Sequence, residues 1–294
     1  MARPLISIVV IAYQMRRELP RTVQSLCPPF QRGIDQSDVE LIIVDNGSTE
    51  PVTLEQLSST IERTVIINVS DADQSPAAAA NQGLRQASAD LVGLWIDGAR
   101  LASPGVLAGA LAASRMDPLA PVVTLGFHLG DKPQGVAIRE GYNQRVEDEL
   151  LAGIDWTKDG YRLFEICALG GSSRLGWFAN IVESNALFLP ARLWQQLGGL
   201  DEAFRSRGGG LVNLDLFTRA LDAAGTPPIT LLGEGTFHQV HGGVATNAPE
   251  SPWKEFAEEY QQIKGKAYER PPYKSRYLSV LDGERLDPLL QKFR

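Results

Sequence analysis

The sequence predicts an α/β protein built on a mostly parallel sheet with helices on both faces, and three observations carry that prediction. Apolar, β-branched runs recur at Ile6 to Ile11, Glu40 to Val44, Thr64 to Val69 and Leu91 to Ile96, as strands covered on both faces require. Segments of helical character separate them, the alternation expected of βαβ units. Two of the runs also stop on an acid, as Val44-Asp45-Asn46-Gly47-Ser48 and Ile96-Asp97-Gly98-Ala99. In open α/β sheets ligands bind outside the carboxyl ends of the strands, so Asp45 and Asp97 are expected to face one shared site for a polar ligand.

The elements follow in order. Met1-Ala2-Arg3-Pro4 leads straight into the first run, which is too short for a membrane span and lacks a small-residue cleavage site, so it reads as a strand and not a signal. After the third strand, Ser75 can cap a helix, Pro76 suits its first turn and Ala77 to Ala80 have high propensity; the start of this helix points at the rim that holds the two acids. A helix is expected at Pro104 to Ser114 and a fifth strand at Val122 to Phe127. From about His128 to Ala179 periodicity is lost, which predicts insertions or edge hairpins. Regular order returns with the strand Ser184 to Leu189, then a helix opened by Pro190, buried through Leu193, Trp194 and Leu197 and ended by Gly198-Gly199. Another helix fits Leu214 to Ala224, closed by Gly225, and Ile229 to Leu232 reads as a late strand. The tail from Pro249 contains an amphipathic helix whose Trp253, Phe256, Tyr260 and Ile263 stripe is expected to pack on the body, followed by the Pro-rich Tyr268 to Tyr277.

Bulk properties narrow the function. A chain of 294 residues, 44% hydrophobic, can bury a substantial core. Its net charge of −7 and lack of a lysine and arginine cluster argue against nucleic-acid binding, which draws its affinity from phosphate neutralisation. A nucleotide, held by backbone amides or a metal, stays compatible. Two cysteines, Cys27 and Cys167, are too few for a disulfide framework, which suits a reducing, cytosolic setting. No stretch approaches the roughly twenty apolar residues of a transmembrane helix; a membrane product would be served from the membrane surface or through a partner. Oligomeric state is left open.

Four segments together resemble the family 2 glycosyltransferases of the GT-A fold, from about Ser7 to about Gly243. Ser7 to Tyr13 is similar to the family's opening strand and nucleotide-binding turn. Val44-Asp45-Asn46-Gly47-Ser48-Thr49 is similar to its second-strand motif, and Ala80-Asn81-Gln82-Gly83 with Ile96-Asp97 to the stretch that leads into its metal-binding Asp-X-Asp element. Leu189 to Phe204, with Gly198-Gly199-Leu200-Asp201-Glu202-Ala203-Phe204, resembles the acceptor side. The resemblance implies an inverting, divalent-metal-assisted transferase of polysaccharide biosynthesis. It would move a sugar from a nucleoside-diphosphate sugar, UDP favoured, to a saccharide or other hydroxyl acceptor with Mn²⁺ or Mg²⁺ as cofactor. Ala12, Tyr13, Asp45, Asn81 and Asp97 would bind the nucleotide. It implies a GT-A domain over residues 1–248, its nucleotide-binding half about 1–125 and its acceptor half 126–248, and a C-terminal helical extension over 249–294. Asp45 can accept hydrogen bonds from a base or ribose, or organise the Asn46-Gly47 turn; Tyr13 can stack on a base or cover the sheet edge.

The pattern departs from the family at two places. The metal element reads Asp97-Gly98-Ala99, one carboxylate short, although an ion bridging a diphosphate needs only one or two protein carboxylates. Thr236 to Gly243 holds His238 and His241, two of the three histidines, and imidazole suits Mn²⁺ better than Mg²⁺. At that spacing on an extended loop the rings diverge, so His238 is expected at the ion and His241 at phosphate or acceptor. Second, the family's Glu-Asp pair before a helix falls on Val212-Asn213, and asparagine cannot act as a base. Asp215 and Glu183 are then comparable candidates for the catalytic base. Asp201 and Arg207 are candidate acceptor or phosphate contacts, and Gly208 to Gly210 is either a closing loop or a tight turn. A catalytically inactive nucleotide-sugar-binding module is the alternative reading. A nucleotidyltransferase would want a Gly-rich loop after the first strand, which Tyr13 to Arg17 does not supply.

Overall fold

The computed structural model describes residues 3–242 and 252–294. Met1, Ala2 and residues 243–251, with the end of the resemblance at Gly243, Pro249 and the expected boundary at 248, lie outside the described residues. The first strands are β1 (Ile6–Ala12), β2 (Val39–Asp45), β3 (Thr64–Asn68), β4 (Leu91–Trp95) and the short β5 (Arg100–Ala102). They are followed by β6 (Val122–Leu129), β7 (Cys167–Leu169), β8 (Ala186–Pro190), β9 (Ile229–His238) and β10 (Arg276–Leu278). The main sheet runs β10-β9-β6-β8-β4-β1-β2-β3, with β5 on β9 and β7 on β6. Pairing is parallel from β4 through β1 and β2 to β3, and β8 enters antiparallel to both β4 and β6. The chain winds outward from β1 to β3, then returns to place β4 on the other side of β1. That reversal is a topological switch point, and the crevice it opens lies beyond the carboxyl ends of β1, β2 and β4. Asp45 ends β2, and Asp97 follows β4 by two residues.

Both faces of the sheet are covered, and apart from the buried Ser7, which bonds to Glu40, β1 turns apolar residues to each. Ile6, Ile8 and Val10 pack with Leu19, Val23 and Leu26 of α1 (Leu19–Leu26) and with Leu107 of α4 (Val106–Met116). Val9 and Ile11 face the opposite core with Ala79 and Ala80 of α3 (Ala77–Gln86). Gly83 lets α3 lie directly on the β1–β2 pair: a Cβ there would stand 2.5 Å from Val9 Cγ1 and 2.8 Å from Val44 Cγ2. Both valines are stiff at χ1. Gly83→Ala is therefore expected to destabilise the fold by about 1–3 kcal/mol, read as a lower urea midpoint with an unchanged slope.

The aperiodic stretch after His128 holds short α-helices, Gln134–Ala137 and Gln144–Ala152, and a 3₁₀ segment, Gly160–Ile166, that leads into β7. β9 runs to His238, six residues past the expected strand end at Leu232. Gly233-Glu234-Gly235 hides its strand character in sequence; Glu234 is buried there and accepts hydrogen bonds from Ser103 Oγ, Gly105 N and Tyr161 Oη. Beyond residue 251 the chain forms helices at Trp253–Lys264 and Gly283–Lys292, but also the edge strand β10, parallel to β9. Phe256 and Tyr260 are buried, whereas Trp253 is 52% exposed. Phe293 enters an aromatic cluster with Phe127, Phe164 and Trp177.

Candidate active site

At the rim, the turn after β4 brings Asp97 back toward β1: Gly98 N donates to Ile11 O at 2.7 Å. A Cβ on Gly98 would meet that oxygen at 2.8 Å, so the approach requires glycine. Ala99 N donates to Asp97 Oδ1 at 3.0 Å, fixing the carboxylate. β5 follows at once and pairs antiparallel with β9, Arg100 opposite His238. His238 Nε2 thereby lies 2.9 Å from Asp97 Oδ2 and His241 Nε2 3.5 Å from Asp97 Oδ1. The expected divergence of the two rings does not occur. The chain leaves β9 at His238 and is held by Gln239 N to Ala99 O and by Val240 N to Glu147 Oε2, both 2.8 Å. It folds back and sets the two Nε2 atoms 3.1 Å apart.

The donor set fits a divalent cation. A nitrogen from each histidine and a carboxylate oxygen all lie within 4.8 Å of one another. Two facing imidazole nitrogens can share at most one hydrogen bond between them, whereas a cation takes both lone pairs. Burial and the nearby Arg100 charge lower the His238 pKa to about 4, against the pull of Asp97, so this ring is neutral near pH 7, as a ligand must be. Burial pushes the Asp97 carboxyl up, but His241 and His238 outweigh it and hold its pKa well below the usual range. Burial lowers His241 as well, and there the Asp97 charge prevails and raises it. His128, the third histidine, stacks obliquely on His238 with centroids 5.5 Å apart. Its Nδ1 accepts from Gln134 N at 2.8 Å, and burial first, then the His238 and Arg100 charges, lower it to about 3.

Glu183 approaches from the loop before β8. It is partly buried, and its Oε2 accepts from Asn213 Nδ2 at 2.7 Å. Burial raises its pKa, while the Asn213 hydrogen bond and the Arg100 charge draw it back. Asn213 lies in the first turn of the helix Val212–Ala224, which begins two residues before the expected Leu214. The tail braces the Glu183 loop, with Tyr273 Oη donating to Ile181 O at 2.6 Å and Asn180 Nδ2 donating to Tyr273 O.

The other expected site residues separate into two groups. Tyr13 stands at the rim after β1, 49% exposed. Ala12 pairs with Asp45 across β1 and β2, and its carbonyl accepts from Asn46 N at 2.8 Å. Asp45 Oδ1 accepts from Ser48 N at 2.7 Å, organising the turn in which Gly47 has φ +81°. Asn81, Asp201 and Asp215 are instead drawn into a network of their own. Asn81 spends its carboxamide on Leu200 N, Leu200 O and Glu202 Oε1 at 2.8–2.9 Å, and Gly199 lets the chain come that close. Asp215 is paired with Arg219 at 2.7 Å and Lys264 at 2.9 Å, and Lys264 also binds Asp201 at 2.7 Å. Both Asp215 oxygens are thus paired inside this network, and the Asn81 amide and the Asp201 carboxylate are likewise engaged. Arg207 is exposed. Gly208, Gly209 and Gly210 all have positive φ, and a Cβ on Gly209 would stand 3.0 Å from Pro76 Cδ, which makes the triplet a tight turn against the start of α3.

Sequence reasoning missed Arg100, His128 and the Asn213–Glu183 pairing. Arg100 carried a usable signal, since it sits one residue past the absent carboxylate. The other two are long-range contacts without a local signature.

A switch-point α/β sheet with an acid-bearing rim places the chain among the nucleotide-binding α/β folds, and solved structures show that it is GT-A-like. The fold resembles that of S. aureus TarS residues 1–349, with a TM-score of 0.54 and 14% identity over 98% of this chain and 70% of that one. The same TarS fragment with UDP-GlcNAc gives a TM-score of 0.54 at 14% identity, covering 98% and 71%. With UDP it gives 0.52 at 14% identity, covering 98% and 70%. No protein of curated function matches in sequence. The chain belongs to the glycosyltransferase like family 2, whose pattern it matches over residues 9–230. Among the described residues no helix is long and apolar enough to cross a membrane.

Proposed function

We propose that this family 2 enzyme transfers a sugar from a UDP-sugar to an acceptor hydroxyl with inversion, assisted by a divalent ion at Asp97, His238 and His241. The observation that carries the reading is the convergence of those three side chains beyond the switch point. Two imidazole nitrogens and one carboxylate suit Mn²⁺ better than Mg²⁺, which prefers oxygen ligands. When bound, the ion supplies charge neutralisation of the departing diphosphate. Asp45 and Ala12 line the base and ribose end, and the exposed Tyr13 ring offers a stacking face. Arg207 and the tail-braced Glu183 loop belong to the acceptor side.

Glu183 acts as the base and Asn213 positions it. The acceptor hydroxyl gives its proton to the Glu183 carboxylate while its oxygen bonds to the anomeric carbon. The bond from that carbon to the diphosphate oxygen breaks, and the nucleoside diphosphate leaves with the electron pair. Asn213 occupies the position where the family carries a carboxylate, and its amide holds Glu183 2.7 Å away. The carboxylate function has moved from the helix start to the facing loop.

Titration calorimetry with UDP, GDP and dTDP, each with and without Mn²⁺, tests this reading. UDP is expected to bind, and more tightly with Mn²⁺; absence of binding by all three nucleotides rejects it. UDP-GlcNAc, present in one of the TarS structures, is the first donor to try for turnover. Metal-dependent binding without turnover across a broad acceptor panel would favour the inactive module.

A further inference from the structure

We propose that Arg100 is a fixed cation that makes divalent-ion binding conditional on the nucleotide, an inference that rests on the nucleotide-sugar reading above. Arg100 opens β5 directly after Ala99, where the metal element lacks its second carboxylate. Its guanidinium is folded back on the carboxylate that remains: Nε lies 3.3 Å from Asp97 Oδ2. That oxygen is also the one His238 Nε2 approaches at 2.9 Å. Arg100 is 8% exposed, and its buried Nε has no hydrogen-bond partner, so the Asp97 contact is an ion pair without a directed hydrogen bond. A buried guanidinium with an incompletely satisfied donor is costly to the fold. Burial lowers its pKa while Asp97 and Glu183 act to raise it, and a guanidinium stays charged in any case. Its register opposite His238 holds it in this place.

The consequence is electrostatic. An Asp-X-Asp element offers a divalent ion two negative charges. Here Asp97 and Arg100 sum to zero, and an ion seated on Asp97 also meets the guanidinium at close range. A nucleoside diphosphate changes that balance, because its phosphates bring negative charge and oxygen ligands to the same place. Ion and nucleotide then bind as a coupled pair, each tightening the other by the same factor. Arg100 is a positioning residue: it holds the Asp97 carboxylate in the free enzyme and remains as a counter-charge beside it once the ion is bound.

The test follows free Mn²⁺ by electron paramagnetic resonance during titration of the full chain, with and without saturating UDP. In the unmodified protein UDP is expected to tighten Mn²⁺ binding by about tenfold or more. Arg100→Met keeps the length and removes the charge. Without UDP it is expected to bind Mn²⁺ about tenfold more tightly than the unmodified protein. Arg100→Lys, which keeps the charge, is expected to bind Mn²⁺ without UDP as weakly as the unmodified protein. Loss of fold alone would weaken Mn²⁺ binding, so the predicted gain cannot be mistaken for it. Weaker or unchanged Mn²⁺ binding by a folded Arg100→Met overturns the proposal. So does equal Mn²⁺ affinity with and without UDP in an unmodified protein that calorimetry shows to bind UDP. If no nucleotide binds at all, the nucleotide-sugar reading fails instead, and the arms with Mn²⁺ alone still decide the role of Arg100.

Discussion

Glu183→Gln is expected to lower kcat by about a hundred- to ten-thousandfold, the range of a lost general base, while UDP and Mn²⁺ affinities stay close to those of the unmodified enzyme. Glutamine keeps the shape and can still bond to Asn213 but cannot take the acceptor proton. A carboxylate must be ionised to act as a base, so the rate should rise with pH through a pKa that burial has raised. Asn213 Nδ2 donates to Glu183 Oε2 and so favours the ionised form. Asn213→Ala removes that donor, raises the folded-state pKa further, and should move the acidic limb of the kcat profile to higher pH. Asp215→Asn gives the contrast. Its carboxylate is engaged by Arg219 and Lys264, so the substitution should lower the melting temperature and leave the acidic limb in place. A pH profile unmoved by Asn213→Ala, together with Glu183→Gln turnover within a few-fold of the unmodified enzyme, would reject the assignment.

Asp97→Asn is expected to abolish the strengthening of UDP binding by Mn²⁺ while the fold persists. An amide retains the shape of the carboxylate and an oxygen toward Ala99 N, and so avoids the void of an alanine. It removes the charge that the ion, both histidines and Arg100 all address. His238→Ala and His241→Ala should each weaken Mn²⁺ binding as well, because both rings reach the same carboxylate. Calorimetry of UDP with and without Mn²⁺ reads all three variants. Unchanged Mn²⁺ dependence in Asp97→Asn would remove this residue from the site, and a normal His241→Ala would return the ion to His238 alone.

Much of this was legible in sequence because strands buried on both faces must be continuously apolar. β1, β2 and β4 announce themselves in that way, and so does the delivery of Asp45 and Asp97 to one rim. β9 and β5 did not. Glu234 is charged in sequence and becomes tolerable inside a strand only through Ser103, Gly105 and Tyr161, which lie far away along the chain. β5 is three residues long, and its register against β9 sets Arg100 opposite His238. A strand that short leaves no periodicity to read.

The sequence by itself determined the α/β class, the two rim aspartates, the family resemblance and the missing carboxylate at Ala99. These are local properties, written in runs and turns of a few residues. Only the tertiary structure decided which charged groups meet. It brought His241 as well as His238 to Asp97, set Arg100 beside them, enclosed Asp215 between Arg219 and Lys264, and gave Glu183 the amide of Asn213. The physical reason is that a carboxylate's chemistry is fixed by the charges and donors within a few ångströms. Those neighbours come from strands and loops far apart in the chain, brought together when the sheet forms.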